Sequence, residues 1–272
     1  MRFGSGNVDS SIRLEFMIRT AFKLPFTAIH PIGVGYFQGE LIRIVLEFAG
    51  SPTPTQMKLA DSLLHLFCNY SATGALSGRE IPPQWSGVEW TKVEMRSLTE
   101  RVYELRNCRI DDTAVVLLCD LLLRESSSLS LAACVVSNGG EGVKLLQEPE
   151  MWSTYPPRFE ALPFGFEDLR PESGAYTFVL ELAEPLESTA RQTLESQLNL
   201  WLLCVMAGGY ALAPIEPKFN YVEPYDSIVA FQATIEWTIF KLRAHPAAID
   251  ALVNIFSKFG QEIQRVTRLT IE

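Results

Sequence analysis

The residues with the clearest potential for chemistry are Asp61, His65 and Cys68, which share one face of a predicted helix. A carboxylate, an imidazole and a thiolate are all possible metal ligands. On the opposite face of that helix runs an apolar stripe of Leu59, Leu63, Leu66 and Tyr70. The triad is therefore expected on a solvated face with a local Asp–His pair, and the second half of the chain has no equivalent. We expect no metal and no organic cofactor.

Other groups that could do chemistry also have structural explanations. His30 and His245 each precede a proline, and no G-x-S-x-G nucleophile motif is present. The glycines at 33, 35 and 39 precede a predicted strand, so their amides lack the helix N-terminus that binds phosphate. The acidic pair 111–112 fits a helix N-terminus, where carboxylates complement the helix dipole. We expect no catalytic residues.

The elements that must position these residues are arranged as an internal repeat. Four segments recur in the same order, 134 to 138 residues apart: 24–26 with 162–164, 44–48 with 178–182, 81–85 with 215–219 and 105–106 with 242–243. Conserved order over more than 100 residues indicates a duplication.

Each copy predicts the same series of elements. A strand comes first, at 41–48 in one copy and 175–182 in the other, and a helix follows that begins at Thr53-Pro54 or at Ser188. Extended segments come next. A second helix (111–125 or 246–262) and a last strand (129–136 or 266–271) complete each copy. The clearest extended segment alternates apolar and polar residues from Phe231 to Ile239, as a half-buried strand does. The order β-α-β-β-α-β is that of a ferredoxin-like unit.

The sequence therefore predicts an α+β protein made of two tandem ferredoxin-like repeats in a pseudo-symmetric duplicated domain. Residues 1–19 form an N-terminal extension, 20–138 the first repeat, 139–157 an acidic linker and 158–272 the second repeat. Glycine and proline at 139–142 and 149–157 mark the linker.

The cysteines and the N-terminal residues indicate the cellular compartment. Five cysteines with no C-x-x-C spacing, mostly among apolar residues, are typical of buried free thiols in a reducing compartment. Asp9 and Glu15 interrupt any early apolar run, so we expect no signal peptide and a cytoplasmic protein. The uncharged stretch 196–215 contains polar residues, glycine and proline, and its counterpart in the first repeat is charged. We expect a buried helix there, not a membrane span.

Charge limits the partners. The net charge is −9, and residues 139–272 hold 18 acidic but only 10 basic side chains, whereas residues 1–138 are nearly balanced. Such a surface repels nucleic acid and favours a basic protein. Acidic and aromatic residues at the end of the linker and the start of the second repeat are the candidate partner-binding residues: Glu148, Glu150, Trp152, Glu160, Glu167 and Asp168.

In its general character across the whole chain, this acidic α/β protein resembles the immunity proteins that bacteria keep in the cytosol to neutralise secreted nuclease toxins. The resemblance implies a non-catalytic inhibitor that binds a basic partner. Two other functions fit the predicted fold: an enzyme or small-ligand-binding protein of the duplicated ferredoxin-like barrel type, and a structural subunit whose edge strands pair with copies of itself, including as a homodimer.

Overall fold

The structure is a computed structural model that describes residues 24–29, 41–76, 89–106, 114–138, 158–159, 161–170, 175–210, 221–224 and 228–272. Within these residues it is an α+β protein with two sheets and five helices. The predicted extension 1–19 and the predicted linker 139–157 lie outside the described residues.

The first half contributes strands β1 (Thr27–Ile29), β2 (Ile42–Phe48), β3 (Glu89–Met95), β4 (Glu100–Arg106) and β5 (Leu131–Asn138), with helices α1 (Pro54–Ala72), α2 (Val115–Arg124) and α3 (Ser126–Leu129). The second half contributes strands β6 (Gly165–Asp168), β7 (Ala175–Leu182), β8 (Tyr221–Pro224), β9 (Val229–Phe231), β10 (Thr234–Arg243) and β11 (Val266–Ile271), with helices α4 (Ser188–Met206) and α5 (Ala247–Glu262).

The two sheets have corresponding strand orders. The first runs β1-β5-β2-β4-β3 and the second runs β6-β11-β7-β10-β8, with β9 also beside β10. In each sheet the first strand pairs in parallel with the last strand, and all other pairs are antiparallel. Each sheet therefore needs a strand from both ends of its own half of the chain.

Local sequence chemistry explains where the long helices begin and end. Thr53 and Gln56 form a capping box, in which the Gln56 side chain accepts a hydrogen bond of 2.8 Å from the Thr53 amide. Gly74 and Gly208, just beyond α1 and α4, have φ angles of +83° and +100°, which favour glycine at a helix end. None of the described helices is both long and apolar enough to cross a bilayer.

The predicted apolar stripe of α1 was wrong in part. Leu63 and Tyr70 are buried, but Leu59 and Leu66 are only half-buried, and Cys68, predicted on the solvated face, has no exposed surface. The reason is that α1 packs against α2 and α4 as well as over its own sheet, so its buried arc is wider than one stripe. A helix buried on several sides does not follow a two-sided pattern.

The predicted single strand from Phe231 to Ile239 was also wrong in part, because the strand begins only at Thr234. Residues 232–233 form a tight turn in which Gln232 has a φ of +54°, and Phe231 lies before that turn in β9. Ile235, Trp237 and Ile239 are buried as the alternation predicted, whereas Phe231 is 73% exposed. A turn without glycine, proline or asparagine gives no sequence signal, so the alternation of apolar and polar residues predicted one strand across it.

The two halves share one core through their helices. Helix α1 packs against α4, and the hydroxyls of Tyr70 and Tyr210 lie 2.8 Å apart between the halves. The fully buried Asn254 of α5 accepts a hydrogen bond from the Phe159 amide and donates one of 3.3 Å to the Ala75 carbonyl. Side chains from both halves therefore satisfy each other's buried polar groups.

Candidate protein-binding surface

Two of the six predicted partner-binding residues lie in the described chain. Glu148, Glu150, Trp152 and Glu160 fall outside the described residues, and Glu167 and Asp168 form the end of β6. Strand β6 pairs in parallel with β11, which places Glu167 opposite Thr270 and Asp168 opposite the buried Ile271. The alternation of side chains along the strand therefore sends the two carboxylates to opposite faces of the sheet.

Both carboxylates have intramolecular partners. Glu167 forms an ion pair of 2.7 Å with Arg268, and Asp168 forms one of 2.6 Å with Arg170. Each pair is partly exposed, so it contributes little to stability, about 0–1 kcal/mol. The pairing does lower the charge that each carboxylate presents, and only Glu167 lies on the face of the sheet that turns away from the helices.

That face, here called the outer face, is defined by the packing of the second sheet. On the inner side, the Trp237 ring lies 5.9 Å from Trp201 of α4, and the Phe178 ring lies 5.7 Å from Phe256 of α5. The alternate residues form two rows across the outer face. The first row is Val229, Glu236, Val179, Thr270 and Glu167, and the second is Phe231, Thr234, Glu181, Arg268 and Gly165.

Two large apolar side chains begin these rows at the β9 edge. Phe231 is 73% exposed and Val229 is 58% exposed. Their strand is held in place because Arg191 donates a hydrogen bond of 2.9 Å to the carbonyl of Ile228, which is itself buried. The hairpin bonds to β10 fix the other side. A partner that covers these side chains would lose little entropy in ordering the backbone beneath them.

The charges on the outer face are unequal. Three carboxylates, of Glu167, Glu181 and Glu236, share it with the guanidinium of Arg268. The hydrogen bond and the charge of Glu167, and then the charge of Glu181, raise the pKa of Arg268. Within the described chain, Glu236 forms no ion pair, and its side chain is exposed. The outer face therefore combines apolar side chains with an excess of negative charge.

Sequence reasoning did not find Phe231 or Val229 as surface residues, and it did not find Glu236 as a binding residue. The alternating pattern placed Phe231 on the buried side of a strand, because the turn after it is not marked by its residues. Glu236 alternates with buried Ile235 and Trp237, which is a correct signal for an exposed face but not for a binding one.

The Asp61, His65 and Cys68 triad does not form a common site. The Asp61 carboxylate accepts two hydrogen bonds of 2.8 Å from Arg101 and a third of 2.8 Å from Tyr103, while Cys68 is fully buried. The His65 ring stacks on Trp90 with centroids 4.3 Å apart. Across the described ranges, no three His, Cys, Asp or Glu side chains are grouped to hold a metal ion.

A second cluster of reactive side-chain types lies between the halves, around Tyr70, Tyr210 and Cys204. All three are fully or almost fully buried. Burial is the largest cause that raises the pKa of each phenol and of the Cys204 thiol. These groups therefore stay protonated at neutral pH, which suits packing and hydrogen bonding and not nucleophilic attack.

The sequence matches no known protein family and no curated protein. Among solved structures, the chain is similar to a variant of the ferredoxin protease FusC in complex with Arabidopsis ferredoxin (11% identity, TM-score 0.20, covering 83% of this chain and 34% of that one). It is also similar to the periplasmic protease PqqL from Escherichia coli (13%, 0.19, 82% and 34%) and to a protease from Helicobacter pylori (8%, 0.19, 85% and 77%). The chain spans about a third of the length of the first two, at 34%. TM-scores this low carry no argument about fold or activity.

Proposed function

We propose that this protein is a non-catalytic binder of a basic protein, and that it contacts its partner through the outer face of the second sheet. The observation that carries the proposal is the position of Phe231, which is 73% exposed, lies in the same row as Glu181 and is next to the row that holds Glu236. Covering a phenylalanine this exposed contributes on the order of 2 kcal/mol to binding. The carboxylates beside it attract a basic surface and repel an acidic one.

The partner class that fits best is a basic enzyme such as a nuclease toxin, with this protein as its inhibitor or immunity protein. A nuclease cleft is positively charged because it holds phosphate, so an acidic face with an apolar anchor is complementary to it. The general resemblance to bacterial immunity proteins supports this choice. Glu148, Glu150, Trp152 and Glu160 remain proposed contacts, since they precede the strand that brings Glu167 to the outer face.

We also propose that the chain arose by duplication of one ferredoxin-like unit. The support is that β2 to β5 follow the order β-α-β-β-α-β apart from the short helix α3, that β7 to β11 follow it apart from the short strand β9, and that the strand orders of the two sheets correspond. Strands β1, β6 and β9 are additions to that unit. The described cysteines are buried free thiols, which supports a cytoplasmic location for the protein.

The proposal is tested by photo-crosslinking in the native cell. A photoreactive phenylalanine analogue is placed at Phe231 and, as a matched control, at Leu203, an apolar residue of α4 that is 43% exposed. We expect position 231 to capture one basic protein that position 203 does not capture. The variant Phe231→Ala should then weaken binding of that purified protein by about tenfold or more.

Two results would count against the proposal. One is equal crosslinking from positions 231 and 203, which would mean that the outer face is not a specific surface. The other is capture of a protein whose affinity is unchanged by Phe231→Ala. If instead the captured molecule is a substrate that the protein converts, the enzyme alternative replaces the binder.

A further inference from the structure

Strand β3 ends the first sheet, and among the described residues no strand pairs with its outer edge. It is seven residues long, whereas β9 at the edge of the second sheet has only three. Most side chains of β3 are exposed, and Val93 is 38% exposed. A long edge strand with an exposed apolar residue is a template for pairing with another strand, unless something covers it.

The direction of the backbone groups of β3 follows from its hairpin. The Arg96 amide donates a hydrogen bond of 2.9 Å to the Glu100 carbonyl, so this pair is a hydrogen-bonded pair of the ladder. In an antiparallel ladder, hydrogen-bonded residue pairs alternate with non-hydrogen-bonded pairs. The pairs Met95–Arg101 and Val93–Tyr103 are therefore non-hydrogen-bonded pairs. Val93 and Met95 therefore direct their amide and carbonyl groups towards the open edge.

The side chains around Val93 are complementary to themselves under two-fold symmetry. Antiparallel pairing of two β3 strands about Val93 places Lys92 of each copy opposite Glu94 of the other, and the two Val93 side chains opposite each other. It also joins the outward amide and carbonyl of Val93 in each copy. Centring the pairing on Lys92 or on Glu94 would place like charges opposite each other. Centring it on Met95 would place Lys92 opposite Leu98 and Glu94 opposite Arg96, which already pairs with Glu100 in its own chain. The register about Val93 is therefore the one that pairs both charged residues.

We infer that β3 pairs with β3 of a second copy of this chain, so that the two first sheets join into one across a homodimer. Lys92 and Glu94 form an ion pair of 2.7 Å within one chain, with 42% and 45% of their side chains exposed, so both ends remain accessible to a second copy. The outer face of the second sheet takes no part in this contact. Formation of the dimer therefore does not depend on the proposed partner, and the dimer presents two copies of the outer face.

The test uses charge reversal at the two positions that face each other. In the full chain, Lys92→Glu places four carboxylates together in the dimer, and Glu94→Lys places four ammonium groups together. Each variant should raise the dimer dissociation constant about tenfold or more, because two ion pairs become two repulsions. Lys58→Glu makes the same charge change on an exposed position of α1 and should leave the dissociation constant unchanged.

Mixing the two variants separates contact between copies from contact within one chain. Lys92→Glu and Glu94→Lys chains, mixed in equal amounts, should form a heterodimer by sedimentation velocity at low salt, because each reversed residue then faces an opposite charge. Circular dichroism of each variant checks that it is folded. Hydrogen exchange at the Val93 amide should slow as the concentration of the natural chain rises. A natural chain that stays monomeric up to millimolar concentration, or a mixture that forms no heterodimer, would overturn the inference.

Discussion

The hydroxyl of Tyr70 lies 2.8 Å from the hydroxyl of Tyr210, and this contact joins the end of α1 in one half to the segment that follows α4 in the other. Both side chains are almost completely buried, and their rings meet edge to face with centroids 6.4 Å apart. A buried hydroxyl that loses its partner keeps the cost of leaving water. The pair therefore links the stability of one half to that of the other.

Removing either hydroxyl should destabilise the protein. We expect Tyr70→Phe and Tyr210→Phe each to lower the free energy of unfolding by about 1–2 kcal/mol, and the double variant to cost less than their sum. Urea denaturation measures each value. Tyr176→Phe, at a half-buried tyrosine of β7, is the matched control and should change little. Fully additive losses would mean that the two hydroxyls are not coupled.

A side chain at Gly74 should be costly. Gly74 has a φ of +83°, and a Cβ there would lie 2.8 Å from Cγ of the buried Lys258. We expect Gly74→Ala to lower the free energy of unfolding by more than about 1 kcal/mol. Gly50→Ala is the control, since no atom lies within 4 Å of a Cβ at that position. Equal effects of the two changes in thermal denaturation would contradict the packing of Gly74 against Lys258.

Asp250 should make stability depend on pH. Burial is the largest cause that raises its pKa, and the charge of Asp168 adds to it, against the opposing charges of Arg158 and Arg170. The folded state then holds the proton more tightly than the unfolded state, whose pKa is about 3.9, so stability falls as pH rises between that value and the folded pKa.

The variant Asp250→Asn removes this ionisation. The free energy of unfolding of the variant, relative to that of the natural protein, should increase as pH rises through the same window. Above the folded pKa the difference should stay constant. Denaturation at a series of pH values checks this. A difference that does not change with pH would mean that Asp250 has the same pKa in both states.

The described cysteines should not react in the folded protein. Cys68, Cys119, Cys134 and Cys204 are buried thiols, and burial raises the pKa of Cys134 to about 12. In a Cys108→Ser variant, which leaves only these four, we expect no rapid reaction with a thiol reagent at mildly alkaline pH and full reaction after unfolding. A thiol that reacts quickly in the native state would show that its surroundings open.

Much of the element order could be predicted from the sequence because it depends on local signals. Residues close in the sequence determine the strands at 41–48 and 175–182 and the capping box at Thr53. They also determine the helix ends at Gly74 and near Gly208. Strands β1 and β6 were missed, since their parallel partners β5 and β11 lie more than 100 residues away. No local pattern reports pairing over that distance.

The binding surface was harder to predict, because it depends on which face each residue takes. Glu167 and Asp168 are neighbours in the sequence but point to opposite sides of β6. Phe231 joins the outer face because a turn at Gln232 without glycine or proline separates it from the buried residues of β10. Surface composition suggested a basic partner, while the register of five strands determines which residues could meet it.

The outer face of the second sheet is proposed to bind a basic protein. The most direct test is the binding kinetics of the protein captured at position 231, measured at several salt concentrations against the natural chain and single variants. We expect Glu236→Lys to slow association at low salt, with little effect at high salt, and Phe231→Ala to speed dissociation. Glu47→Lys, at an exposed carboxylate of the first sheet, should change neither rate. Equal effects of Glu236→Lys and Glu47→Lys, with unchanged dissociation for Phe231→Ala, would mean that the partner does not bind the outer face.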